Sequence, residues 1–161
     1  MERKKTIKID ELDWAVLREI QEDGRISNSE LARRINLSQP AAHARLKRLH
    51  KKGVIKKFVS VVDNDKIGLE IICFFHVQLQ AHCETSLVQF ENSVRNFPEV
   101  LEFHYLTGEF DYLIKAIFAN RKELELFLRN KLSILPDIRQ ITTSLVLAEI
   151  KNSTSLPLPC G

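Results

Sequence analysis

A chain of 161 residues is long enough for one medium domain or two small ones, and 44% hydrophobic with 28% charged residues is ordinary for a globular protein. No apolar run approaches the roughly 20 residues of a membrane-spanning helix, and the charged start Met1-Glu2-Arg3-Lys4-Lys5 leads into no apolar signal core, so neither a membrane span nor secretion is expected. The net charge of +3 joins a basic part (15 Lys/Arg against 8 Asp/Glu in residues 1–60) to an acidic one (9 against 13 in residues 61–161), which points to a polyanion-binding half and a half with another task.

The apolar positions Ile9, Leu12, Val16, Leu17 and Ile20 fall on one helical face. Asp10 suits the N-cap, Asp13 sits in the first turn where the helix dipole favours an anion, and Asp23-Gly24 is the expected stop. Ser27-Asn28-Ser29-Glu30 has capping-box spacing and opens a short second helix that buries Leu31 and Ile35. Asn36-Leu37-Ser38 breaks it: Asn36 tolerates positive φ, Leu37 plugs the corner and Ser38 caps a third helix with Pro40 in its first turn. That helix is expected to bury Ala42, Leu46 and Leu49 and to run to about Lys52, where Gly53 ends it.

From Ser38 to Lys52 there are five Lys/Arg, two His and no acid. Such a helix repels itself unless a polyanion supplies the counter-charge, and a short helix, a tight turn and a basic helix make the helix-turn-helix arrangement. Gln39, Ala41, His43 and Ala44 lie toward the end that enters the major groove, where Gln reads adenine and Ala meets a thymine methyl. Arg45, Lys47, Arg48, Lys51 and Lys52 suit phosphates, or guanine for an Arg. With Ser38 as cap, these are the expected DNA-facing residues.

Residues 54–63 suit a strand leaving the head, and Asp63-Asn64-Asp65-Lys66 suits a hinge, so 1–60 is expected to form the DNA-binding domain and 61–70 a linker. Beyond it the pattern is strand 71–80, helix 85–97, strand 100–107, turn 108–111, strand 112–119, helix 121–135 and strand 138–150. This βαββαβ order is the ferredoxin-like split unit, giving an α+β protein with a second domain over 71–151. One sheet face takes the helices. The other is expected to carry residues such as Phe103, Tyr105, Leu145 and Leu147, or their alternates, and to be covered by a second copy. Residues 152–161, with Ser, Thr and two Pro, suit a flexible tail.

Cys73, Cys83 and Cys160 have no CxxC spacing, so neither a disulfide framework nor a structural zinc is expected; Cys73 suits the core and Cys160 an exposed thiol, both at home in a reducing cytoplasm. His76, His82, Cys83 and His104 match no compact ligand motif, and no metal or other cofactor is expected.

Ile9 through Asp13, Val16-Leu17, Ile20-Gln21, Asp23-Gly24-Arg25, Glu30-Leu31-Ala32, Leu37-Ser38, Arg45, Arg48-Leu49 and Gly53-Val54-Ile55 resemble the winged helix-turn-helix head of the Lrp/AsnC family, the leucine- and asparagine-responsive "feast/famine" regulators. The resemblance continues through Leu106-Thr107-Gly108-Glu109-Phe110-Asp111-Tyr112-Leu113, Leu135-Pro136, Thr143 to Val146 and Glu149-Ile150-Lys151, so it spans about residues 9–151. It implies a RAM/ACT-like effector and oligomerisation domain, assembly into dimers and then an octamer on double-stranded DNA, and an amino-acid ligand beside the Gly-acid-aromatic-Asp turn where dimers meet. The local chemistry is compatible: Asp111 or Glu109 can accept from an ammonium, and backbone N–H groups around Gly108 can donate to a carboxylate. Tyr105, Thr107 and Ser144 would shape such a site. The turn residues have a plainer role too, Gly108 and Asp111 building a tight β-turn and Tyr105 packing at an interface.

Two other functions fit the same architecture. One is a decarboxylase of haem precursors, such as sirohaem, which this acidic, Arg-poor half serves badly. The other is a DNA-architectural protein that answers to no ligand. The expectation is a non-enzymatic, cytoplasmic regulator of transcription.

Overall fold

The computed structural model describes residues 7–80 and 83–159; the charged N-terminal start, His82 and Cys160 lie outside the described residues. The chain divides into two compact units, one running through Val61 and regaining the chain from Lys151, the other spanning 62–150.

In the first unit, helix α1 (Glu11–Glu22) begins at Asp10 with a reciprocal cap: Asp10 accepts the Asp13 N–H at 2.8 Å and Asp13 accepts the Asp10 N–H at 3.2 Å. Helix α2 (Asn28–Arg34) starts on Ser27, whose hydroxyl accepts the Glu30 N–H. Asn36, at φ 54°, makes the left-handed corner, and helix α3 (Gln39–Lys51) follows, closed by Gly53 at φ 72°. Two capping expectations change. Asp23, not a left-handed Gly24, ends α1 in extended backbone, and the Ser38 hydroxyl makes no cap bond, since Pro40 removes one of the N–H groups it would take. Val16, Leu17, Leu31, Ala32, Ile35, Ala42, Leu49 and Ile55 form the core, with Trp14 and Leu46 packed against it.

The strand expected over 54–63 does not form. Val54 and Ile55 return their N–H groups to the Leu49 carbonyl, and 56–63 runs exposed with no ladder partner among the described residues. The hinge contains a 3₁₀ turn (Asp65–Ile67), braced by a bond from the Asn64 amide to the Leu69 carbonyl at 2.9 Å and closed by Gly68 at φ 78°.

The second unit is the expected βαββαβ fold: β1 (Ile71–Leu79), α4 (Glu84–Arg95), β2 (Val100–Tyr105), β3 (Tyr112–Phe118), α5 (Arg121–Phe127) and β4 (Ile138–Leu145). The sheet order is β2-β3-β1-β4, antiparallel throughout. β1 alternates as a one-side-covered strand should, burying Cys73, Phe75, Val77 and Leu79. With Phe90, Tyr112, Ile114, Phe118, Phe127 and Leu132 they make an aromatic core under the helices.

Register decides for the alternates on the open face. Phe103 lies opposite Ile114 and Tyr105 opposite Tyr112, so both point to the helix side, as does Leu145 opposite Cys73. Leu147 falls outside any strand, because β4 ends at Leu145 rather than 150. The open face instead carries Ile72, Phe74, His76, Leu113, Lys115, Ile117, His104, Thr142 and Ser144. Helix α5 is also shorter than expected: it passes into a π-helical turn, Leu128–Leu132.

The tail is not loose over its described length. The Gln21 amide donates to the Leu156 carbonyl at 3.2 Å and accepts the Leu156 N–H at 2.7 Å, Arg18 donates to the Pro159 carbonyl at 2.7 Å, and Leu158 packs on the helical core. No described helix is long and apolar enough to cross a membrane.

Candidate nucleic-acid interface and effector turn

Helix α3 sorts its residues by face. Ala42, Leu46 and Leu49 point into the helical core. Gln39, His43, Lys47, His50 and Lys51, at i, i+4, i+8, i+11 and i+12, form an exposed strip free of acids, with Ser38 exposed at its start and Lys52 at its end. Ala41 is half-buried.

Arg45 and Arg48 leave that strip. Arg45 Nη1 donates to Asp10 at 2.7 and 2.8 Å and to Asp13 Oδ1 at 2.9 Å, while Arg48 Nη2 contacts both oxygens of Asp13. Asp13 is 1% exposed. Part of the counter-charge that the sequence assigned to a polyanion is therefore supplied by the cap of α1. The Arg45 bond, followed by the Asp13 N–H, holds the Asp10 carboxyl below its usual range, and the same pairing raises Arg45. Sequence reasoning found Asp10 and Asp13 as caps and missed them as clamps. Nothing local signals a partner 32 to 35 residues away.

A second ionic group ties α2 to α1: Glu30 accepts from Arg33 and Arg34, and Arg34 also reaches Glu19 at 2.9 Å. These two guanidinium groups hold the Glu30 carboxyl down to about 2.

In the second unit, Tyr105, Thr107, Gly108, Glu109 and Asp111 come together around the β2–β3 turn. Gly108 has φ 124° with nothing within 4 Å of the position a Cβ would take, so the turn needs glycine for its backbone and not for room. Leu106 donates to the Asp111 carbonyl at 2.8 Å, and the Asp111 N–H donates to Val77 at 2.9 Å. Asp111 Oδ2 accepts the Leu79 N–H at 2.8 Å, which pins the turn to the end of β1. This is the plainer turn-building role, so the Asp111 carboxylate is committed at least in part to the backbone, whereas Glu109 is exposed at the tip. Tyr105 packs on the Tyr112 ring at 5.1 Å and keeps 63% exposure. Ser144 does not join this group. It lies on β4, three strand positions from β2 and on the opposite sheet face, about 14 Å across at normal strand spacing.

Burial drives the Cys73 thiol up to about 12, whereas hydrogen bonds with Ser86 and Thr85 bring Cys83, at the start of α4, down to about 7. Among the described residues no three His, Cys, Asp or Glu side chains converge as metal ligands.

Comparison with known proteins matches both units. Residues 9–56 match the model of a winged helix-turn-helix DNA-binding domain, and residues 72–156 match the Lrp/AsnC ligand binding domain. The transcriptional regulator AzlB of Bacillus subtilis is 36% identical over 94% of this chain and 97% of its own. The leucine-responsive regulatory protein of Escherichia coli is 30% identical over 92% and 90%. A transcriptional regulator of Neisseria meningitidis, solved as an L-methionine complex, superposes with TM-score 0.89 at 33% identity, covering 93% of this chain and 97% of that one.

Proposed function

The chain belongs to the Lrp/AsnC family of transcriptional regulators, and on that premise we propose that it acts in the cytoplasm as a homo-oligomer that reads duplex DNA through α3 under the control of an amino acid. The observation that carries the DNA reading is the acid-free strip Gln39, His43, Lys47, His50 and Lys51, presented on a helix whose remaining guanidinium groups are tied to α1. Gln39, Ala41 and His43 take base edges. Lys47, Lys51 and Lys52 take phosphates, and Arg45 and Arg48 set the angle of α3.

Self-association follows from unpartnered apolar surface. Phe58, Val59, Val61 and Val62 are exposed on an extended segment without a ladder partner among the described residues, and the open sheet face carries the half-buried Ile72, Phe74 and Leu113. A second copy pairing these surfaces sets two heads on a pseudo-palindromic site, and further assembly of dimers, up to an octamer, bends the DNA. The Neisseria relative binds L-methionine. In this chain the turn residues Tyr105, Thr107, Gly108 and Glu109 are exposed, and Ser144 is distant from them. A ligand enclosed by both groups therefore needs a second copy, which makes ligand binding and assembly one equilibrium. Asp111 holds the turn in shape.

The test of the interface is DNA affinity, by fluorescence anisotropy, as a function of salt. Lys47→Ala with Lys51→Ala lowers the slope of log affinity against log salt by about 2, since each phosphate contact contributes roughly 0.9. An unchanged slope in the folded variant removes the strip from the reading. For the effector, a thermal-shift screen of the twenty amino acids is followed by ligand affinity with and without operator DNA; equal values break the coupling.

A further inference from the structure

A cavity of about 250 Å³ opens beside α5, bordered by Glu99, Phe118, Glu123, Phe127, Asn130 and Lys131. It shares no residue with the β2–β3 turn. We propose that it is a second ligand site, for a small primary amine of amino-acid size carrying a second charged group.

Four features converge there. Glu99 gives one oxygen to Lys131 Nζ at 2.5 Å, while its other oxygen, Oε2, is enclosed and meets no donor among the described residues. An enclosed carboxylate oxygen is costly unless a donor satisfies it, and an ammonium is the donor that matches its charge. Lys131 is held in place: its ammonium lies 5.7 Å from the centre of the Phe97 ring and 6.0 Å from that of Phe127. It therefore offers a fixed cation to a ligand carboxylate. Leu126, 46% exposed, gives the cavity an apolar wall that suits a short aliphatic chain, backed by the buried rings of Phe118 and Phe127.

The fourth feature is the backbone. Helix α5 shifts into a π-helical turn over Leu128–Leu132, and that turn carries Asn130 and Lys131 to the cavity. A π turn exchanges the i→i+4 bonds for wider i→i+5 ones, here Ser133 N–H to the Leu128 carbonyl at 2.9 Å, and is frequent at functional sites. Two carboxylates against one ammonium make the lining net negative, which selects a cationic ligand. Glu123 already accepts the Ala119 N–H at 3.1 Å and the Asn120 amide at 3.4 Å, but a carboxylate has lone pairs for more. A ligand amine on Glu99 with a second cation toward Glu123 uses both; a ligand carboxylate completes the contact with Lys131. Basic amino acids and short diamines share this chemistry.

The test is titration calorimetry of the full chain with L-lysine, 1,4-diaminobutane and, as the anionic control, butyrate. Both amines bind and butyrate does not; the tighter amine tells an amino-acid site from a diamine site. Glu99→Gln weakens amine binding at least tenfold, and Glu125→Gln, on α5 outside the cavity, leaves it unchanged. Should Glu99→Gln fail to fold, Asn130→Trp blocks the mouth and abolishes binding. Absence of amine binding overturns the proposal. So does binding that survives the folded cavity variants, or that Glu109→Gln abolishes, since the last result assigns the ligand to the β2–β3 turn.

Discussion

The two units are held together by different physics. The helical unit has a small aliphatic core crossed by charge: Asp13, buried among apolar neighbours, is neutralised by Arg45 and Arg48. The sheet unit is held by stacked and edge-on rings, Phe75, Phe118 and Phe127 lying 5.2 to 6.4 Å apart, and its ion pairs sit at or near the surface. The contrast teaches that a helix carrying only positive charge need not be balanced wholly from outside: Arg45 and Arg48 are paired within the unit, and a narrower acid-free strip stays exposed.

The largest effect expected from this contrast is in the sheet unit. Phe75→Ala empties a fully buried ring site and costs about 3–5 kcal/mol. It lowers the urea midpoint seen by the near-UV signal of Tyr105 and Tyr112, both tyrosines lying in the sheet unit, more than that of Trp14, the single tryptophan, which packs on the helical core. Equal shifts of both signals would merge the two units into one cooperative fold.

Next is Asp13→Ala, which strands the Arg48 guanidinium and leaves Arg45 with Asp10 alone. Breaking a buried pair costs about 3–5 kcal/mol, and here about 2–3 because the Arg48 and Arg45 side chains are 41% and 25% exposed and can turn to water. The Trp14 transition moves and the sheet signal does not. Arg45→Ala with Arg48→Ala acts the same way, weakening DNA binding through the head's stability; a full loss of salt dependence with unchanged Trp14 stability would return both residues to the phosphate contacts.

A smaller effect, about 1 kcal/mol for a half-buried side chain, is expected for Leu158→Ala, again in the Trp14 transition alone. An unmoved midpoint detaches the tail from the head. The smallest concerns acid. Glu30 falls from its ordinary 4.5 to about 2 in the fold and Asp10 is also lowered, so their contribution is complete above about pH 4.5 and is lost as the pH drops toward 2. The head therefore softens in that window, which Trp14 fluorescence against pH follows; stability rising through it contradicts the sign.

Much of the helical unit was legible because its signals are local. Asp10, Ser27, Asn36 and Gly53 each act on backbone within a few residues, and the same is true of the α4 and β1 periodicities. What failed was what depends on pairing. Phe103 and Tyr105 share an alternation that fits either sheet face, and the irregularity between Val100 and Glu102 sets the register that sends them to the helix side. Residues 54–63 have strand composition, but a strand needs a neighbour, which the described chain does not give them. The tail reads as coil, and Gln21 gives it a place.

The residues alone determined a helical unit and a βαββαβ unit, their element order, the basic third helix and the family. Caps, turns and hydrophobic period are written within a turn or a strand, so one chain segment suffices to specify them. Only the tertiary structure decided which cations of α3 remain on its exposed strip, which sheet face stays open, why Ser144 is apart from Tyr105, and that Glu99 and Lys131 meet at a cavity. Those are distances between segments far apart in sequence, fixed by register and packing rather than by any local preference.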